Sequence, residues 1–88
     1  ELMQHSLSNK KVCLRYFSYF SESTGKVSEE YKTEASTLES LWYELDSQYG
    51  FGQPITAVRP VINHQFCDWQ DTFQHGDNVS FIPPVSGG

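Results

Sequence analysis

The first regular pattern in the chain is alternation. From Lys11 to Phe20, Val12, Leu14 and Tyr16 fall on one side and Cys13, Arg15 and Phe17 on the other, the period of a half-buried strand. Ser21 to Lys26, with Gly25, reads as a turn. Val27 to Glu34 is a weaker strand that sets Val27, Glu29, Tyr31 and Thr33 against Ser28, Glu30, Lys32 and Glu34. Together the two segments predict a hairpin with a long loop. The period then changes to 3.6. Ser36-Thr37-Leu38-Glu39 has the form of a capping box, with Ser36 as N-cap and Glu39 reaching back. Leu38, Leu41, Trp42, Leu45 and Tyr49 make one apolar stripe and predict a helix over 37–49, stopped by Gly50. After a connector at Phe51 to Pro54, Thr56 to Asn63 reads as a strand in which Pro60 argues for an edge or a bulge. Asn63-His64-Gln65 is a turn, Phe66 to Trp69 a short strand, and Asp71 to Asp77 a loop or a single helical turn, with His75-Gly76-Asp77 as a tight turn. Asn78 to Ile82 is the last strand. Pro83 and Pro84 stiffen the base of the C-terminal segment, while Gly87 and Gly88 leave its end free.

The order β-β-α-β-β-β lays one helix on one face of a mixed sheet, an α+β roll. With a single crossing helix this is the β-grasp (ubiquitin-like) arrangement. The expected organisation is a disordered N-terminal tail at 1–9, the folded domain at 10–82 and a C-terminal tail at 83–88. A chain of 88 residues is one small domain, able to bury roughly 60–65% of its unfolded surface. That suffices for a core but not for a deep catalytic cavity with a lid. Mean hydropathy is −0.51 and the apolar runs are short, so no membrane-spanning helix is expected. Glu1 to Asn9 lacks the basic and apolar regions of a signal peptide. The net charge of −5 opposes nucleic acid and suits a basic protein partner. Two cysteines, Cys13 and Cys67, are too few for a disulfide framework. One bridge stays possible, and a reducing, cytoplasmic setting is the simpler reading.

Catalytic signatures are missing. His5, His64 and His75 have no metal-ligand spacing and are read as surface or turn histidines. Cys13 and Cys67 form no C-x-x-C and are read as structural thiols. Asp68, Asp71 and Asp77 look like an acidic cluster, but two of them lie beside turn signals, so they are assigned to turn closure and capping. The tail is the exception. Its carboxylate is the one group there with chemistry to offer, and glycines can pass through a channel that any Cβ would block.

The run Gly76-Asp77-Asn78-Val79-Ser80-Phe81-Ile82-Pro83-Pro84-Val85-Ser86-Gly87-Gly88 resembles the end of the small subunit of molybdopterin synthase, a family of ubiquitin-like sulfur carriers. That family ends in G-D-x-V, apolar residues, and P-P-V-[ST]-G-G. Weaker resemblance reaches back over Ala57 to Phe81, over Tyr16-Phe17, and over the helix entry at Thr37 to Leu41, leaving out residues 1–9. Arg59-Pro60-Val61-Ile62 departs from the family by being longer than its usual strand. The resemblance implies a carrier with no permanently bound cofactor and no metal. A ubiquitin-activating-like adenylating enzyme would use ATP to place AMP on Gly88. A sulfur donor would then convert the adenylate to a thiocarboxylate. The tail, Pro83, Pro84, Val85, Ser86, Gly87 and Gly88, would enter the large subunit, two small subunits with two large. There two transfers would make the dithiolene of molybdopterin from its cyclic pyranopterin precursor. The catalytic lysines would belong to the large subunit, so the small subunit is no enzyme by itself.

Such a carrier must dock. Phe17, Phe66 and Ile82 are the expected partner-binding patch, on the sheet face opposite the helix. Two other readings remain open. A Gly-Gly end also serves carriers in thiamine synthesis, tRNA thiolation and protein conjugation. A β-grasp binding domain with an incidental Gly-Gly is of another class.

Overall fold

Strand β1, Lys10–Tyr16, realises the first alternation: Val12, Leu14 and Tyr16 are buried, while Cys13 and Arg15 are not. It pairs antiparallel with β2, Ser28–Thr33, setting Val12 opposite Tyr31 and Leu14 opposite Glu29. The computed structural model describes residues 10–83. The expected N-terminal tail at 1–9 and the tail residues 84–88 lie outside the described residues.

The first strand ends earlier than alternation predicts. Ser18 takes φ 49°, and Tyr19–Thr24 form a short helix, α1, closed by Gly25 at φ 76°. Phe20 is buried against Trp42 and Phe51, with ring centroids 5.5 and 4.8 Å away. An inward Phe20 satisfies period two as well as a helical turn, so the pattern could not tell the two apart. Ser18 at positive φ, with the Phe20 and Ser21 amides donating to the Phe17 and Ser18 carbonyls, turns the chain out of the strand.

Helix α2, Leu38–Tyr49, buries Leu38, Leu41, Trp42 and Leu45 and ends at Gly50 in the left-handed conformation. Its cap corrects the sequence reading by one residue. Thr37, not Ser36, is the N-cap, and the reciprocal partner is Ser40, not Glu39. The Ser40 amide donates to Thr37 Oγ1 at 3.2 Å, and the Thr37 amide donates to Ser40 Oγ at 3.1 Å. The loop carbonyls of Asp71 and Trp69 accept from the Leu38 and Glu39 amides, which fixes where the helix starts. Glu39 instead accepts from Gln70 Nε2 at 2.8 Å.

The segment read as one strand over 56–63 splits. A 3₁₀ turn spans Ile55–Ala57, and β3 spans Arg59–Ile62. Asn63 and His64, both at positive φ, make a two-residue turn into β4, Gln65–Phe66. Pro60 is at neither an edge strand nor a bulge; it lies opposite Phe81 of β5, Asn78–Ile82. The Cys67 amide donates to the Pro60 carbonyl at 3.0 Å. The return bond needs an N–H that proline lacks, and β4 stops at Phe66, short of the expected Trp69.

The sheet order is β2-β1-β5-β3-β4, with β1 and β5 parallel and the remaining pairs antiparallel. This is the α+β, β-grasp architecture expected. On the helix side Trp42 stacks on Phe51 at 5.0 Å and meets Phe81 edge-on at 5.3 Å, and Trp69 stacks on Phe81 at 5.7 Å. Burying a side chain as fully as Trp42, Phe51 and Phe81 are buried contributes about 1.5–3 kcal/mol each, which anchors the last strand at its C-terminal end.

Candidate functional site: the open face of the sheet

A strand that buries one face exposes the other, and the exposed faces of β1, β5, β3 and β4 lie side by side. Register builds them into rows. Arg15 is beside Ser80, Ser80 beside Val61, and Val61 beside Phe66. Ile82 lies opposite Arg59, and Phe17 follows Tyr16, which pairs with Phe81. Phe17, Val61, Phe66 and Ile82 thus line a depression of about 450 Å³, whose polar walls are Arg15, His64, Asn78 and Ser80. Phe17 is 38% and Phe66 62% exposed, high for rings of this size. The three residues expected as a patch are therefore brought together, on the face opposite α2. Ile82 is half-buried and passes the chain to Pro83 beside them. Pro84, Val85, Ser86, Gly87 and Gly88 lie outside the described residues.

Two further residues of this face are given no role from the sequence. The Arg15 guanidinium lies 5.5 Å from the Phe17 ring centroid, and the Arg59 guanidinium 4.5 Å from that of Phe66. Both geometries are cation–π contacts.

The frame beneath is held by polar bonds. Tyr16 and Tyr49 donate to Glu29 Oε2 at 2.6 and 2.8 Å, and Lys26 Nζ meets Glu29 Oε1 at 2.9 Å. Burial alone would raise the Glu29 carboxyl, but the hydrogen bonds from Tyr16, Lys26 and Tyr49 outweigh it and hold it below its ordinary range. Burial first, then the bond to Glu29, pushes the Tyr16 phenol far up. Burial and the neighbouring Glu44 push Tyr31 up to about 12. These groups tie β1, β2 and α2 together and do not reach the depression.

The other candidates fall as turn and surface residues. Asp71 Oδ2 accepts from the Asp68 amide at 2.9 Å, and Asp77 Oδ2 from the Gln74 amide at 2.8 Å, which closes their turns. His75 Nδ1 accepts from the Lys11 amide at 3.1 Å, and His64 sits in the β3–β4 turn. Cys13 and Cys67 are free thiols, so the possible bridge is not formed. Among the described residues no three His, Cys, Asp or Glu side chains group to hold a metal. No helix among them is long and apolar enough to cross a membrane.

A β-grasp domain with one sheet face uncovered, in a chain that runs on through Pro-Pro to Gly-Gly, has the form shared by ubiquitin-like carriers and modifiers. The chain belongs to the ThiS family, whose sequence model matches residues 14–88. Solved structures agree on the fold. The putative molybdopterin converting factor subunit 1 of Pyrococcus furiosus superposes with a TM-score of 0.74 at 24% identity, over 86% of this chain and 99% of that one. SAMP1 of Haloferax volcanii gives 0.72 at 17% identity, over 89% and 99%. The complex of subunits 1 and 2 of the molybdopterin-converting factor of Helicobacter pylori gives 0.60 at 25% identity, over 89% and 99%. No curated protein matches the chain in sequence.

Proposed function

We propose that this chain is the sulfur-carrying small subunit of a molybdopterin synthase. The observation that carries the reading is the ungapped run from Gly76 to Gly88, G-D-N-V-S-F-I-P-P-V-S-G-G, at the end of a β-grasp domain of the ThiS family. The likeness to one subunit of a two-subunit converting-factor complex supports a large-subunit partner.

A carboxylate is a poor electrophile. Once its carboxyl is free, Gly88 attacks the α-phosphorus of ATP on a ubiquitin-activating-like enzyme, and pyrophosphate leaves. AMP is then a good leaving group. The terminal sulfur of a persulfide displaces it, and a thiol cleaves the remaining S–S bond to leave a thiocarboxylate. The loaded tail enters the large subunit, which supplies the catalytic groups, and sulfur passes to the cyclic pyranopterin precursor. Gly87 and Gly88 let the tail thread a narrow channel. The depression lined by Phe17, Phe66 and Ile82 docks in turn on the activating enzyme and on the large subunit, since both must receive the same tail. Two carriers and two large subunits make the working assembly, in the cytoplasm.

Reconstitution tests the pathway. The loaded carrier, mixed with a large subunit and the cyclic precursor, is expected to yield the dithiolene, and a carrier lacking Gly88 is expected to yield none while melting normally. Sulfur delivered only to a thiazole precursor or to tRNA, or Gly88 found joined to protein lysines, would replace this reading with another carrier pathway.

A further inference from the structure

The chain is acidic overall, yet the open face is not. Both of its arginines, Arg15 and Arg59, stand there, one over Phe17 and one over Phe66. No carboxylate lines the depression between them. Among the described residues the two ion pairs are Lys11–Glu30 and Lys26–Glu29, so neither arginine has an acidic partner. Glu30 of β2 shares this face, but it lies outside the depression and is paired with Lys11 at 3.8 Å, while Glu39, Glu44 and Asp46 ride on α2, across the sheet. The net charge of −5 therefore averages two unlike faces, and the basic partner it suggests does not suit this one.

We propose that the open face receives an acidic protein surface, an apolar patch flanked by carboxylates, and that Arg15 and Arg59 determine that specificity. This rests on the reading of the face as the docking surface. Arg15 and Arg59 are two strands apart and two residues out of register, which places their Cα atoms about 12 Å apart at ordinary sheet spacings. They bracket the apolar residues diagonally. A guanidinium laid on a ring is held in place, is weakly hydrated, and keeps its planar fork free for a carboxylate. Little rotamer freedom is left to lose on binding. A nucleic acid would meet two arginines on a chain of net charge −5, which repels a polyanion at range. For a carboxylate pair on a protein, salt screens charges beyond about 8–10 Å, so the nearby arginines dominate.

The test measures binding of the full chain to its adenylating enzyme at low and at physiological ionic strength, with melting curves for every variant. Arg15→Gln and Arg59→Gln are each expected to weaken binding about tenfold, and Arg15→Glu with Arg59→Glu about a hundredfold, mostly through the association rate. The wild type should bind more weakly as salt rises, and the double reversal should not. Reversing a carboxylate of the enzyme to lysine should restore binding to Arg59→Glu. If the double reversal binds like wild type while Phe66→Arg abolishes binding, the face docks but its arginines do not select, and the inference is wrong. If Phe66→Arg also binds like wild type, the docking reading itself fails. Tight capture of single-stranded RNA, or self-association of the chain, abolished by the double reversal would assign the face to that occupant instead.

Discussion

On the helix side of β1 and β5, Leu14, Tyr16, Val79 and Phe81 are buried under α2. On the other side, the residues between them and just beyond, Arg15, Phe17, Ser80 and Ile82, line an open depression. Both sets come from the same two stretches of chain, with Phe17 one residue past the end of β1. Only parity differs, and parity decides whether an aromatic ring serves the fold or is left for a partner. Phe81 and Phe17 are the same side chain in two roles. Phe81 packs on Trp42 and Trp69, while Phe17 carries an arginine.

The contrast can be broken hardest from the buried side. Trp42→Ala removes the ring that touches Phe20, Phe51, Trp69 and Phe81. It is expected to cost about 3–5 kcal/mol in urea denaturation, a large share of what a domain of this size has. A loss under about 1 kcal/mol would mean that the core is organised elsewhere. On the open face the readouts should exchange. Phe66→Arg should weaken binding to the activating enzyme and to the large subunit by at least about 2 kcal/mol, with stability changed by no more than about 0.5 kcal/mol. Unfolding with unaltered affinity would show that Phe66 supports the fold.

The bonds that tie β1 to β2 and α2 come next. Tyr16→Phe leaves Glu29 without one of its three donors and should cost about 1–3 kcal/mol. The same phenols set an alkaline limit. Tyr16 and Tyr31 are raised in the folded state, while unfolded tyrosine ionises near pH ~10. Above that pH the unfolded chain holds fewer protons than the folded one, so stability falls as pH rises. Glu29 works in the opposite range: its folded value is lowered, so its contribution is full above the unfolded carboxylate range and is lost as pH falls through the folded value. Urea midpoints across pH should therefore drop at both ends. A flat alkaline arm would mean that Tyr16 and Tyr31 do not set the limit.

The smallest effect sharpens a boundary. Thr37→Ala should cost about 1 kcal/mol, because Thr37 is the N-cap of α2. Ser36→Ala should cost almost nothing, since Ser36 is exposed one residue before the cap. The reverse order would restore the cap read from the sequence.

Much of the architecture is legible in the sequence. The stripe of Leu38, Leu41, Trp42 and Leu45 marks α2 because burial on one side imposes period 3.6. Asn78–Ile82 alternates cleanly, and its strand has those bounds. Phe17 is placed on the open face by its parity with Tyr16. The features that escape have local causes. Helix α1 hides among turn residues, because Phe20 points inward in a strand and in a helical turn alike. Strand β4 is cut short by a donor missing from Pro60, a residue on its neighbour. The cap moves by one residue because carbonyls of a distant loop hold the first helical amides. Arg15 and Arg59 stand in plain view, but a net charge sums over both faces and conceals an arrangement confined to one.

The proposed function stands or falls on Gly88 carrying sulfur, and intact mass spectrometry reads that directly. The full chain is incubated with ATP, its adenylating enzyme and a persulfide donor, and the product is weighed and fragmented. One sulfur should replace one oxygen, the change should map to Gly88, and omitting ATP should prevent it. An unchanged mass under conditions where the enzyme consumes ATP with this chain, or sulfur found on Cys13 or Cys67 instead, would contradict the carrier role.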